Sequence, residues 1–228
     1  MFNQINLAEI DRDGAVGEAR EIALQDTRLD FFKKGAVGAG ALAGGSVLLG
    51  ALAPGAMAAG APPRKAFGKG DIGILNYALT LEYLEAAFYN QATDNLTGKL
   101  DARTEAFLKV VTRDENAHVK ALRKALGRKA AKSPKFDFKT AVTDPATFKA
   151  TAEVLENTGV SAYLGQAGNI KNVKVLAAAG SIVTIEARHA AVINDINGNA
   201  ITPDGPFDKA LSARKVLAAV KKTGFIVG

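Results

Sequence analysis

One pattern occurs twice along this chain of 228 residues. Leu81-Glu82 is followed seven residues on by Tyr89, and Leu155-Glu156 is followed seven residues on by Tyr163. After each comes a Glu-x-x-His segment: Glu115-Asn-Ala-His118 begins 33 residues past Glu82, and Glu186-Ala-Arg-His189 begins 30 past Glu156. These are the chain's only two histidines. An internal repeat with the same residue types in the same order predicts a duplicated helical hairpin. The spacings suit helices, because residues three apart share a face and seven residues make two turns, about 10.5 Å along the axis.

The periodicity of apolar residues carries the same message through most of the chain. Past Gly60-Ala61-Pro62-Pro63, apolar side chains recur at i, i+3, i+4 and i+7 with few strand-like alternations, so the fold class is all-α. Asp71 reads as the N-cap of a first helix to about 93, and Asp101 as that of a second ending near Gly127. Asp144-Pro145 pairs a cap with proline at the first helical position and opens a third helix to about 167. A fourth runs from about Asn172 to 196 and stops at Gly198, and a short fifth occupies roughly 208–222. The longest connection, 128–143, exceeds what antiparallel neighbours need. It predicts a crossover along the bundle between the second and third helices.

Composition narrows the chemistry. The chain has no cysteine, which excludes disulfides, thiolate nucleophiles and thiolate metal sites; any metal must be held by oxygen and nitrogen. Apolar residues make up 48%, enough for one sizeable core. Residues 59–228 carry 24 basic against 16 acidic side chains. The basic residues between Lys120 and Lys139 read as a solvated helix end and loop, so no nucleic-acid partner is expected.

The N-terminal region reads as an address, not as part of the bundle. Residues 35–53 are nineteen positions without a charge, preceded by Lys33-Lys34 and followed by Ala56-Met57-Ala58. A basic flank, an apolar centre and a small-x-small exit make an export signal over 1–58, with 59–70 as linker. Thr27-Arg28-Leu29-Asp30-Phe31-Phe32-Lys33-Lys34 resembles the twin-arginine signal, with Leu29 where the second arginine would stand. Cleavage after Ala58 would release the protein to the periplasm or outside the cell, without stable membrane association. The alternative is an anchor formed by residues 35–53, long enough to span a bilayer.

Each Glu-x-x-His pair offers a carboxylate and an imidazole to one point in space. A dinuclear site needs one further carboxylate from each remaining helix. Each of those helices has two glutamates three apart, Glu82 and Glu85 in the first and Glu153 and Glu156 in the third. The repeat selects Glu82 and Glu156, leaving Glu85 and Glu153 to solvent or the bundle edge. Glu82, Glu115, Glu156 and Glu186 together carry −4 and neutralise two divalent cations, with His118 and His189 one per metal. Oxygen donors with two imidazoles suit iron or manganese. Tyr89 and Tyr163 are candidates for core packing or for a redox or hydrogen-bonding role. Asp114 is a candidate to orient a histidine from behind, although its counterpart in the other half is Ile185.

These segments resemble the ferritin-like superfamily, and within it bacterial ferritin-like domain proteins related to plant desiccation-associated proteins. The residues that carry the likeness are Ala78–Tyr89, Asp114–Val119, Phe136-Asp137-Phe138, Asp144–Phe148, Leu155–Gly165 and Ile185–Ala190. It covers about 71–197 and implies a ferritin-like four-helix bundle, with 198–228 as a C-terminal loop and fifth helix. It also implies a centre of two iron ions, or manganese as the alternative. In bacterioferritin-like members the first-helix ligand precedes a tyrosine by seven residues, which agrees with choosing Glu82. The superfamily includes ferroxidases, peroxidases, catalases, oxygenases and storage cages, so the likeness implies no single activity. The chain departs from storage ferritins in its export signal, fifth helix and basic charge.

The expected function is therefore that of an exported protein whose dinuclear centre reacts with O₂ or H₂O₂. One alternative is a non-enzymatic stress or desiccation-related structural protein of the same fold. The other is an iron-storage cage, which requires a large closed oligomer. A homo-oligomer is allowed but not demanded, since one chain carries all four ligand-bearing helices.

Overall fold

The computed structural model describes residues 67–227, so the export signal and most of the linker lie outside the described residues. Within them the chain forms α1 (Gly70–Leu96), α2 (Ala102–Leu126), α3 (Pro145–Ala167), α4 (Val173–Ile196) and α5 (Ala213–Thr223). Three of the expected start signals act as read. The carboxylate of Asp101 accepts from the N–H of Arg103 and Thr104, Asp144 accepts from Thr147, and the Asn172 side chain accepts from Lys174 and Val175. Each satisfies a backbone donor that the first helical turn leaves free.

Asp71 behaves otherwise. α1 starts two residues earlier, with Lys69 at its N-cap and no side-chain cap. The Asp71 carboxylate instead accepts from the N–H of Lys171 at 2.9 Å and of Asn172 at 2.8 Å. It therefore joins the start of α1 to the start of α4. At the other end, Arg103 near the start of α2 pairs with Asp195 near the end of α4, and Asn197 donates to the carbonyl of Lys149 in α3. α1 and α4 thus run one way and α2 and α3 the other.

With that arrangement the chain from α2 to α3 must return along the whole bundle, about 37 Å at the ~1.5 Å rise per residue of α2. Its beginning is tied to α1 by Asn76, which donates to the carbonyl of Lys129 and accepts from the N–H of Ala131. Short 3-10 turns stand at Gly127–Lys129 and Lys139–Val142. Between them Phe138 is buried and packs on Phe88 and Phe225, with ring centroids 5.4 and 5.2 Å away. The crossover also pairs with the C-terminal segment: Asp137 donates to Phe225 and Val227 to Lys135, around a bridge between Phe136 and Ile226.

α5 begins five residues later than the sequence reading places it. The segment before it lies across α3, where the Leu211 N–H donates to the Ser161 carbonyl at 3.0 Å. A Cβ on Gly165 would come within 1.8 Å of the Leu211 oxygen, so only glycine allows this approach. The chain turns helical once it clears α3, with Ser212 as N-cap, and α5 buries Ala213, Val216 and Val220 in the core.

Candidate metal centre

At mid-bundle the four long helices turn acidic side chains inward. Glu82 of α1, Glu115 of α2, Glu156 of α3 and Glu186 of α4 are all fully buried, and His118 and His189 are 8% and 5% exposed. The six side chains expected from the sequence are therefore in one place. They form two overlapping groups: Glu82, Glu115, His118 and Glu186 in one, and Glu115, Glu156, Glu186 and His189 in the other. Within each group one candidate ligand atom per residue lies within 4.8 Å of the rest. Glu115 and Glu186 belong to both.

Hydrogen bonding does not account for this convergence. His118 Nδ1 lies 3.2 Å from Glu82, 3.3 Å from Glu115 and 3.1 Å from Glu186. His189 Nδ1 lies 3.1 Å from Glu115 and 3.4 Å from Glu156. An imidazole nitrogen has at most one proton to donate, so several of these oxygens must go without. Glu82 Oε2, Glu115 Oε1, Glu156 Oε2, both oxygens of Glu186 and His189 Nδ1 are buried and make no hydrogen bond. Buried polar atoms are rarely left unpaired, because each costs on the order of 1–3 kcal/mol, and six in one place call for a cation.

The remaining atoms of the cluster are held from outside it. Tyr163 of α3 donates to Glu82 Oε1 at 2.5 Å, and Tyr89 of α1 donates to Glu156 Oε1. Each tyrosine thus serves the glutamate of the other half. Asp114 Oδ2 lies 3.2 Å from Nε2 of His189, an acceptor that keeps a proton on that nitrogen and leaves Nδ1 facing the carboxylates. In the second half Ile185 stands at the position matching Asp114.

Glu85 is not at the bundle edge. It is 3% exposed, on the face it shares with Glu82 one turn away. Its counterpart in the repeat is Gly159, where a Cβ would lie 2.8 Å from Glu186 Oε2 and 3.3 Å from Glu85 Oε1. The missing side chain makes room for both carboxylates. Glu153 does stand at the edge, half-buried, and accepts from the side chains of Asn197 and Asn199.

Without metal, the site holds protons. Burial, assisted by the charge of Glu115, pushes the Glu82 carboxyl up to about 8. Burial and the neighbouring carboxylates push Glu85 and Glu186 well above the usual range, and burial raises Glu156. Glu115 is opposite in sign: burial raises it, but His118 and His189 outweigh that and hold it at about 2. For the imidazoles burial opposes the charge, yet the facing carboxylates raise His118 to about 12 and His189 to about 11.

A comparison with curated proteins gives no match. The family model for the ferritin-like domain matches residues 70–199, which run from the first residue of α1 to just past the end of α4. Those bounds enclose the duplicated hairpin, its crossover and every residue of the buried cluster. The chain belongs to the ferritin-like domain family.

Proposed function

We propose that the cluster binds two metal ions, iron or manganese, and that the loaded centre reacts with O₂ or H₂O₂. The observation that carries this is the set of buried, unpartnered oxygen and nitrogen atoms that four helices bring together. The donor set fits: four carboxylates balance two divalent ions, and oxygen with imidazole suits iron and manganese. Two such ions, when bound, together supply two electrons to an O–O bond.

The chain's own residues have separable tasks. Glu115 and Glu186, members of both groups, would help to hold both ions, and Glu82 with His118 and Glu156 with His189 would each complete the hold on one. Tyr163 and Tyr89 occupy one oxygen of Glu82 and of Glu156, so the other oxygen of each turns to the centre. Asp114 fixes the tautomer of His189. Glu85, whose carboxyl burial and the neighbouring carboxylates push well above the usual range, stands outside the balance of four carboxylates and two divalent ions.

Anaerobic Fe(II) loading of the purified protein, followed by O₂ or H₂O₂, tests the reading. Rapid oxidation with two ions per chain supports it; binding without oxidation would favour a metal-stabilised structural protein. We further propose that residues 1–58 direct export. Cell fractionation with N-terminal sequencing checks this, and a mature protein beginning at Ala59 is expected.

A further inference from the structure

Beside the cluster, towards the end of the bundle where α1 and α4 begin, lies a pocket of about 240 Å³. All four long helices line it within two turns of their candidate ligands. Ala78 precedes Glu82 by four residues, Leu122 follows His118 by four, Ile182 precedes Glu186 by four and Tyr163 follows Glu156 by seven. Tyr163 is both a wall of the pocket and the donor to Glu82. The mouth opens between α2 and α4, where Ala121, Ala125, Lys174 and Ala178 are exposed.

The walls are almost entirely apolar, and Lys174 at the rim is the one charged side chain among the described residues that line it. Among those wall residues Tyr77 has a buried hydroxyl with no hydrogen-bond partner. A dry cavity of ~150 Å³ accommodates benzene, so on the same scale this one takes on the order of ten carbons. We propose that the pocket seats the hydrocarbon chain of a medium-chain carboxylic acid, with its carboxylate at Lys174. The polarity of the site dictates the orientation. A carboxylate at the inner end would meet walls that offer no cation, whereas at the rim it meets an ammonium group and water.

Occupancy of the pocket does not depend on the metal-centre reading, so binding is measured on the metal-free, full-length protein. Octanoate is titrated by calorimetry against the wild type, Ala178→Trp and Lys174→Gln, with 1-octanol as the uncharged comparison. One saturable site is expected, weakened at least tenfold by Ala178→Trp, which fills the exposed mouth and leaves the core intact. Lys174→Gln, or octanol in place of octanoate, should weaken binding roughly threefold to fivefold, as for an exposed ion pair. No saturable binding to the wild type would overturn the proposal, as would indifference to Ala178→Trp. Equal affinity for octanol and octanoate would overturn the choice of an acid. Co(II) titration of the same samples separates the two readings: failure to bind Co(II) removes the metal centre, while octanoate binding still decides the pocket.

Discussion

Gly159 faces Glu85 across the bundle from the place that the repeat assigns to Glu85 itself. A Cβ at 159 would stand 3.3 Å from Glu85 Oε1 and 2.8 Å from Glu186 Oε2. The two halves of the duplication have thus diverged at this position, a carboxylate in one and empty space for it in the other. Gly159→Ala should lose the usual gain of ~0.5–1 kcal/mol from replacing a mid-helix glycine. It should instead be destabilised by about 1–3 kcal/mol, as for other overpacked interiors. Thermal unfolding of the metal-free protein gives the sign, and a rise in Tm would show that Glu85 and Glu186 yield freely.

The tyrosines cross between the halves, so Tyr89→Phe and Tyr163→Phe should behave alike. Each strips a donor from a buried carboxylate, at a cost of about 1–3 kcal/mol, and frees that glutamate to turn away. Losing such a supporting partner typically weakens metal affinity on the order of 10–100-fold. Competitive metal titration measures it; unchanged affinity in both variants would mean that the tyrosines only pack.

Asp114→Asn should be unequal in its effect on the two metal positions. The carboxylate lies behind His189, and Ile185 holds the matching place in the other half. We expect one ion to weaken by about 10–100-fold while the other keeps its affinity. A stepwise titration resolves the two events.

The pH dependence of the metal-free protein follows from the raised groups. Glu82 sits at about 8 in the folded state against an ordinary 4.5, so its contribution is full below about 4.5 and is lost as pH rises through 8. His118 at about 12 and His189 at about 11, against 6.5, lose theirs as pH rises from 6.5 towards those values. Glu115, at about 2, adds stability between pH 2 and 4.5. Tm of the metal-free protein should therefore peak near pH 5 and fall towards pH 9. Metals displace the same protons, so the rise in Tm on loading should grow over that range. Scanning calorimetry with and without metal checks both trends.

Local signals were legible in the sequence, and contacts between distant segments were not. Asp101, Asp144-Pro145 and Asn172 act within four residues of themselves, and the helices they open stand where spacing puts them. The six inward Glu and His side chains were legible because each Glu-x-x-His pair shares a face of its own helix and the repeat marks Glu82 and Glu156. Asp71 was misread because its partners lie a hundred residues on, at the start of α4. Glu85 was misplaced because a three-residue offset puts it on the same face as Glu82, and the repeat gave no sign that Gly159 makes room for it. The start of α5 depends on how closely Leu211 passes Gly165, and the exchange of tyrosines between halves on how the hairpins associate. Spacing encodes neither.

Elemental analysis of the full-length protein after anaerobic Fe(II) loading, with Glu115→Ala and Glu186→Ala beside the wild type, shows whether these six residues hold two metal ions. Two ions per chain in the wild type and loss of paired loading in both variants are predicted. No bound metal in the wild type, or two tightly held ions in both variants, would contradict it.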